Sequence, residues 1–226
     1  MNDTNNKSCG ERLSTEGRVI AIFGGSFNPV HLGHIALADA VCKTGVVDEV
    51  WFMVSPLNPL KKDNAEDILP ADQRIYITQL ALKDYPHLKV SDVEIRLPVP
   101  SYTITTLTEL KRLYPHYDFK LIIGQDNWKN FDRWVESQKI KDNHDIIVYG
   151  RKDTETSSVQ TQADNAEVII YRKDGTQTML SEKLQFKLYN ISSTQIRQAF
   201  REHNLPFAAK WLTPPVFRYI LENKLY

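Results

Sequence analysis

The chain has 226 residues, 42% of them hydrophobic and 25% charged, the proportions of a water-soluble globular domain. Lys+Arg and Asp+Glu stand at 28 each, so no bulk positive charge is available to hold nucleic acid or an anionic membrane, and neither is expected as a partner. No apolar run approaches the ~20 residues of a spanning helix. The two cysteines, Cys9 and Cys42, form no CxxC pair and no zinc spacing, which fits a reducing cytoplasm.

Residues 1–17 are polar, lack the apolar core of a signal peptide, and are expected to be a disordered or loosely docked extension. Residues 18–226 are expected to form one domain. Val19–Phe23 reads as a buried strand ending in Gly24-Gly25. Leu32–Lys43 reads as a helix, with Leu37 and Val41 at an i,i+4 spacing. Glu49–Val54 is a second strand, followed by the Pro-rich loop SPLNPLKK at 55–62. A helix is expected over Ala71–Tyr85, a strand within Leu88–Ile95 and a helix over Ser101–Leu113. Strands follow at Phe119–Ile123, ending in Gly124, and at Ile146–Tyr149. Residues 152–166 are polar and read as a mobile loop. Val168–Tyr171 and Phe186–Tyr189 read as the last strands, Thr194–Arg201 and Pro215–Leu225 as closing helices. Alternating strands and helices imply an α/β fold: a doubly wound, mostly parallel sheet with helices on both faces and a helical C-terminal end. In such sheets ligands bind at the carboxyl ends of the strands, where the strand order reverses.

GGSFNPVHLGH, residues 24–34, is the densest chemical signal. It is neither GxGxxG nor GxxxxGK[ST], which disfavours a hydride-transfer dinucleotide fold and a P-loop ATPase. Gly24 and Gly25 permit a tight turn with close backbone approach. His31 and His34, three residues apart, share one face at a helix N-terminus, where unpaired N–H groups and the helix dipole suit phosphate. Asn190–Arg197 is the second signal. Ser192 and Gln195 fit a capping box, so a helix begins there. Ser193 and Thr194 then face whatever occupies that end, and Arg197, one turn in, reaches toward the same anion. The plain alternatives are a capped helix with surface histidines and an ordinary capped helix with a solvated arginine. His87, His116, His144 and His203 have no such context and read as surface residues.

Together the two motifs resemble the nucleotidylyltransferase superfamily. Ser101-Tyr102-Thr103 with Thr106-Leu107, IIGQD at 122–126, Phe131, Trp134 and the closing ILENKLY follow in the order of the bacterial nicotinate mononucleotide adenylyltransferases, a resemblance covering 18–226. It implies a Rossmann-like fold and adenylyl transfer from ATP to nicotinate mononucleotide, giving deamido-NAD and pyrophosphate. By the same resemblance Gly24, Gly25, Ser26 and Phe27 line the nucleotide crevice through their backbones. His31, His34, Ser193, Thr194 and Arg197 bind the triphosphate, and Lys61 or Lys62 lies near phosphate. Gly124 and Asp126 border the nucleotides, Asp126 at a ribose hydroxyl, and Arg151 lies on the adenosine side. Thr103 meets the nicotinate carboxylate and Trp134 stacks on the pyridine ring. Trp134 could equally be core packing beside Phe131, and Asp126 a helix cap.

The family's GGTFDP is GGSFNP here, SYTxDTL is SYTITTL, and Leu60 replaces a histidine. Asn28 and Thr105 therefore bear on the pyridine-side contacts and on the choice of acid over amide. The attacking phosphate oxygen is already largely ionised near neutral pH, its second pKa being about 6, so no general base is needed. No Asp/Glu cluster suggests a caged metal, so Mg²⁺ is expected to arrive with ATP. The same fold acting on nicotinamide mononucleotide or phosphopantetheine, and a nucleotide-binding module without turnover, are the rival readings. A homo-oligomer is compatible with the chain.

Overall fold

The computed structural model describes residues 17–56, 68–151, 164–182 and 187–226. Residues 1–16, and most of the 55–62 and 152–166 loops, lie outside the described residues. Among the described residues eight strands run in chain order: β1 (Val19–Gly25), β2 (Glu49–Val54), β3 (Leu88–Ser91), β4 (Asp118–Gly124), β5 (Ile146–Arg151), β6 (Asp164–Tyr171), β7 (Gln177–Met179) and β8 (Lys187–Leu188). The sheet order is β3-β2-β1-β4-β5-β6-β7, with β8 paired to the start of β6. From β3 through β5 the pairing is parallel; β6 and β7 add antiparallel edges.

The helices are α1 (Leu32–Lys43), α2 (Ala71–Leu82), α3 (Thr103–Leu113), α4 (Gln125–Lys129), α5 (Ser137–Asn143), α6 (Ser193–Arg201), α7 (Leu205–Trp211) and α8 (Pro214–Glu222). The unbroken apolar run of β1 follows from burial on both faces. Ala21 and Phe23 face a core shared with α1, α2, α6, α7 and α8. Ile20 and Ile22 face the other, with Leu107 of α3 and Ile140 of α5. Cys42 is buried in the first of these. No helix among the described residues is long and apolar enough to cross a membrane.

Several boundaries differ from the sequence reading. α2 stops at Leu82 rather than Tyr85, because Tyr85 precedes Pro86, whose ring disfavours a helical residue before it. The strand expected within Leu88–Ile95 covers Leu88–Ser91; Val93–Arg96 is a 3₁₀ turn, tied by the Ile95 N–H to the Asp92 carbonyl. β6 begins at Asp164, inside the expected loop, and the strand expected at Phe186–Tyr189 covers only Lys187–Leu188. α5 and β7 went unread because they are short, and α5 buries one residue, Ile140, which gives no periodicity. α7 did carry a signal: Asn204 accepts from the Phe207 N–H and Pro206 stands in the first turn. His87 and His144 are not loose surface groups. His87 Nε2 lies 2.8 Å from Asp39 Oδ1, and His144 Nδ1 lies 2.8 Å from the Phe119 carbonyl.

Candidate active site

The strand order reverses between β1 and β4, and a cavity of about 280 Å³ opens at that edge of the sheet. Its floor includes Gly24 and Gly25 of β1, Gly124 of β4 and Tyr149 of β5. A Cβ on Gly25 would stand 3.0 Å from the Phe27 ring, so a side chain there would press on that ring. Phe27 itself adopts a left-handed φ of 43°, a strained conformation for an aromatic residue. Its ring compensates by wedging against Phe23, Phe52 and His34, at centroid separations of 5.6, 5.1 and 5.2 Å. The Phe27 side chain is thus core, and only the backbone of this turn remains for the crevice.

Three elements fasten the loop between β1 and α1. From α2, Arg74 is 1% exposed and donates to the carbonyls of Leu69, Ser26, Ser55 and Pro56, at 2.8, 2.6, 2.8 and 3.3 Å. From α6, Ser193 Oγ donates to the Pro29 carbonyl at 2.8 Å and Arg197 Nη1 to the Asn28 carbonyl at 2.9 Å. From the end of the chain, the Tyr226 hydroxyl donates to Asn28 Oδ1 at 2.9 Å, an oxygen that also accepts the Leu69 N–H. Burial pushes the Tyr226 phenol well above its usual range, against the pull of Arg197 and Arg74. Ser192 and Gln195 exchange their capping bonds as expected, so α6 starts beside α1.

His31 caps α1 and is 5% exposed. Its ring stacks on that of His34 at 3.6 Å, and its backbone N–H donates to His34 Nδ1 at 3.2 Å. That bond makes Nδ1 an acceptor, so in the neutral His34 ring the proton sits on Nε2. His31 Nδ1 and Arg197 Nε are both buried, and neither has a hydrogen-bond partner among the described residues. Gly33 suits this packing, since a Cβ there would lie 3.1 Å from both His31 Nδ1 and an Ile191 methyl, and both would have to yield.

Burial pushes the His31 imidazole down from 6.5 to about 4, with its backbone hydrogen bond opposing the shift. Between those values the unfolded chain holds a proton that the folded chain does not. Stability is therefore full above the unfolded value and falls as pH drops, by about 3 kcal/mol across the window. In urea titrations at about pH 7 and about pH 4.5, His31→Gln is expected to lose less stability on acidification than wild type does. Equal losses in both proteins would contradict this.

The opposite wall carries Thr103, half-buried as the first residue of α3, together with Arg133 and Trp134. The α3 N-cap, Tyr102, supplies no side-chain hydrogen bond to the first N–H groups of the helix. Trp134 packs on Phe131 at 4.9 Å and also lines the cavity, so packing and ligand contact are compatible. Glu94 lines this wall too. Its carboxyl is raised by burial, opposed by hydrogen bonds from Ser101 and Ser55. Burial, with the nearby Asp126 carboxylate adding to it, pushes the Tyr149 phenol up to about 12.

The structure therefore places Gly24, Gly25, Gly124, Thr103 and Trp134 on the cavity, and gathers the Ser26–Phe27 turn, His31, His34, Ser193, Arg197 and, beside it, Thr194 about the adjoining β1–α1 loop, outside the cavity lining. Asp126 is exposed on the first turn of α4 and does not line the cavity. Lys61 and Lys62 lie outside the described residues, as does the side chain of Arg151. Asn28 is buried and turned to Tyr226 and Leu69, Thr105 is exposed on α3, and neither lines the cavity. Arg74, Glu94, Arg133 and Tyr149 went unread. Arg74 had left a trace: it is in register with Ile77 and Ala81 on the buried face of α2.

The cytidylyltransferase-like family model matches residues 22–199. A Bacteroides thetaiotaomicron protein named "Probable nicotinate-nucleotide adenylyltransferase" is 42% identical over 201 residues, 89% of this chain and 90% of the relative. The chain belongs to the nicotinate-nucleotide adenylyltransferase family. A Bacteroides fragilis member under the same name is 54% identical over 130 residues, 58% of this chain and 64% of that protein. A Flavobacterium psychrophilum member is 36% identical over 207 residues, 92% of this chain and 98% of its own length. Plasmodium falciparum nicotinic acid mononucleotide adenylyltransferase, solved with NaAD, superposes with a TM-score of 0.65 over 92% of this chain and 97% of that one. At 17% identity, that likeness extends the family's fold to this chain and nothing finer.

Proposed function

We propose that the protein transfers the adenylyl group of ATP to nicotinate mononucleotide, releasing pyrophosphate and forming nicotinate adenine dinucleotide, a step of NAD biosynthesis. The observation that carries this reading is the pairing of two sets of groups about the end of β1. The stacked imidazoles, Arg197 and the N-termini of α1 and α6 gather at the loop that follows Gly24 and Gly25; an uncapped helix N-terminus, Arg133 and an indole line the cavity beside it.

In this reading the first set takes the triphosphate. The His34 Nε2 hydrogen, the α1 and α6 N–H groups and Arg197 stabilise the charge that develops on departing pyrophosphate. The second set takes the pyridine nucleotide, its ring against Trp134 and its carboxylate at the start of α3 beside Arg133. The acceptor phosphate, ionised without help, then attacks the α-phosphorus in line, and the protein contributes positioning and electrostatics. Imidazole, guanidinium and backbone N–H groups about the β1–α1 loop are donors suited to phosphate. Among the described residues no group of three His, Cys, Asp or Glu could hold a metal ion. In this reading Mg²⁺ arrives with the substrate as MgATP.

Pyrophosphate release with MgATP tests the reading, with nicotinate mononucleotide, nicotinamide mononucleotide and phosphopantetheine as rival acceptors. Selective turnover of the nicotinate compound is expected; preference for another acceptor moves the substrate, and release with none leaves a binding module. Trp134→Ala is expected to raise KM for the pyridine nucleotide by about tenfold and to spare KM for ATP. Equal effects on both substrates would return Trp134 to a packing role.

A further inference from the structure

Glu94 is the one carboxylate on the wall of the cavity among the described residues, and its setting is unusual. It lies in the 3₁₀ turn Val93–Arg96, on a short path between β2 and α3. Ser55 Oγ, just past the end of β2, reaches Glu94 Oε1 at 3.2 Å. Ser101 Oγ, two residues before α3, reaches the same oxygen at 2.6 Å. Both donors converge on Oε1, and no described side chain or backbone donor bonds Oε2. The intervening segment contributes little else to hold α3 in place. Leu97–Tyr102 joins no strand, and Pro98 and Pro100 have no N–H to give. A buried carboxyl is costly unless its hydrogen bonds compensate, and apolar packing would have filled the space more cheaply.

We propose that Glu94 is a positioning residue for the pyridine nucleotide: by holding Ser55 and Ser101 on one oxygen, it sets the N-terminus of α3 against the end of β2. The proposal rests on the reading above, in which that helix end receives the ring carboxylate. It assigns to Glu94 a task carried by an acceptor oxygen, not by a negative charge. Gln presents the same oxygen to the two hydroxyls. Ala releases both, and the start of α3 then shifts relative to the floor of the cavity. A helix end displaced by a fraction of an ångström presents its N–H groups off the line of the carboxylate they would bind.

The test is steady-state kinetics of the full-length protein with both substrates. Glu94→Ala is expected to raise KM for nicotinate mononucleotide on the order of tenfold while KM for ATP stays within about twofold of wild type. Glu94→Gln is expected to behave as wild type. Ser101→Ala, a milder change, is expected to raise the same KM by less, and to add nothing once Glu94 is Ala, because the two residues act as one tie. Three results would overturn the proposal: Gln as damaging as Ala, which would make the charge or its proton the working part; equal changes in both KM values, the mark of general loosening; or no change in any variant. Wild-type turnover reads out the underlying reading separately. If nicotinate mononucleotide is no substrate, that reading fails and this proposal falls with it; if it is, the variants decide the role of Glu94 alone.

Discussion

Replacing His34 with alanine is expected to cut kcat/KM by two or more orders of magnitude without unfolding the protein. The ring is half-exposed at the start of α1, so its removal leaves the two apolar cores filled. What disappears is a donor with a fixed proton. The His31 N–H holds His34 Nδ1 as an acceptor, so Nε2 keeps its hydrogen at neutral pH without needing a charge. A preorganised donor of this kind, aimed at charge that develops as pyrophosphate leaves, contributes about 3 kcal/mol to transition-state stabilisation, and its loss should appear mainly in kcat. Pyrophosphate release under saturating and limiting ATP, beside circular dichroism, separates this from loss of fold. Turnover close to wild type would remove His34 from the mechanism.

Arg74→Met is expected to produce the largest loss of stability of any single side chain discussed, about 3–5 kcal/mol. No carboxylate neutralises this guanidinium among the described residues; it is held by four backbone carbonyls. Removing it leaves those oxygens buried and without that donor, at about 1–3 kcal/mol for each one that water cannot reach. Arg74→Lys is expected to recover little, because one ammonium cannot span a planar fork of donors. Urea denaturation of the three proteins checks both expectations. A Met variant within about 1 kcal/mol of wild type would mean that the loops relax and satisfy one another. Since Arg74 bonds the carbonyls of both Ser26 and Ser55, KM should rise for ATP and acceptor alike, unlike the one-sided effect of Glu94→Ala.

The candidate site residues stood out in the sequence because each comes in a short block with its own spacing. His31 and His34 share a helix face, Ser192 and Gln195 form a capping box, and glycines end both β1 and β4. The doubly wound sheet was legible for a similar reason: β1, β2, β4 and β5 are apolar runs too short and too β-branched for helices. What stayed hidden acts over distance in the chain and through the backbone. Ser193 bonds a carbonyl 164 residues away, and Arg74 one 48 residues away. A main-chain acceptor has no residue type, so no pattern announces it. Glu94 was missed because Val-Glu-Ile alternates like a strand, while Asp92 at ψ 7° had already turned the chain into a 3₁₀ turn. Asn28 shows the converse. It was conspicuous as a departure from the family pattern, yet it faces the interior, where an amide oxygen meets Tyr226 and Leu69.

The anchoring of Ser26–Val30 has a thermodynamic consequence. Confining a backbone residue to one conformation costs about 1–2 kcal/mol of entropy. For this loop the cost falls on folding, where the bonds from Arg74, Arg197, Ser193 and Tyr226 offset it. On the proposed reading a triphosphate meeting the loop gives up its own freedom but not that of the protein, and more of the attraction between phosphate and helix ends survives as affinity. Stability and the proposed hold on ATP then draw on the same few bonds, and substitutions that loosen this loop are expected to weaken both together.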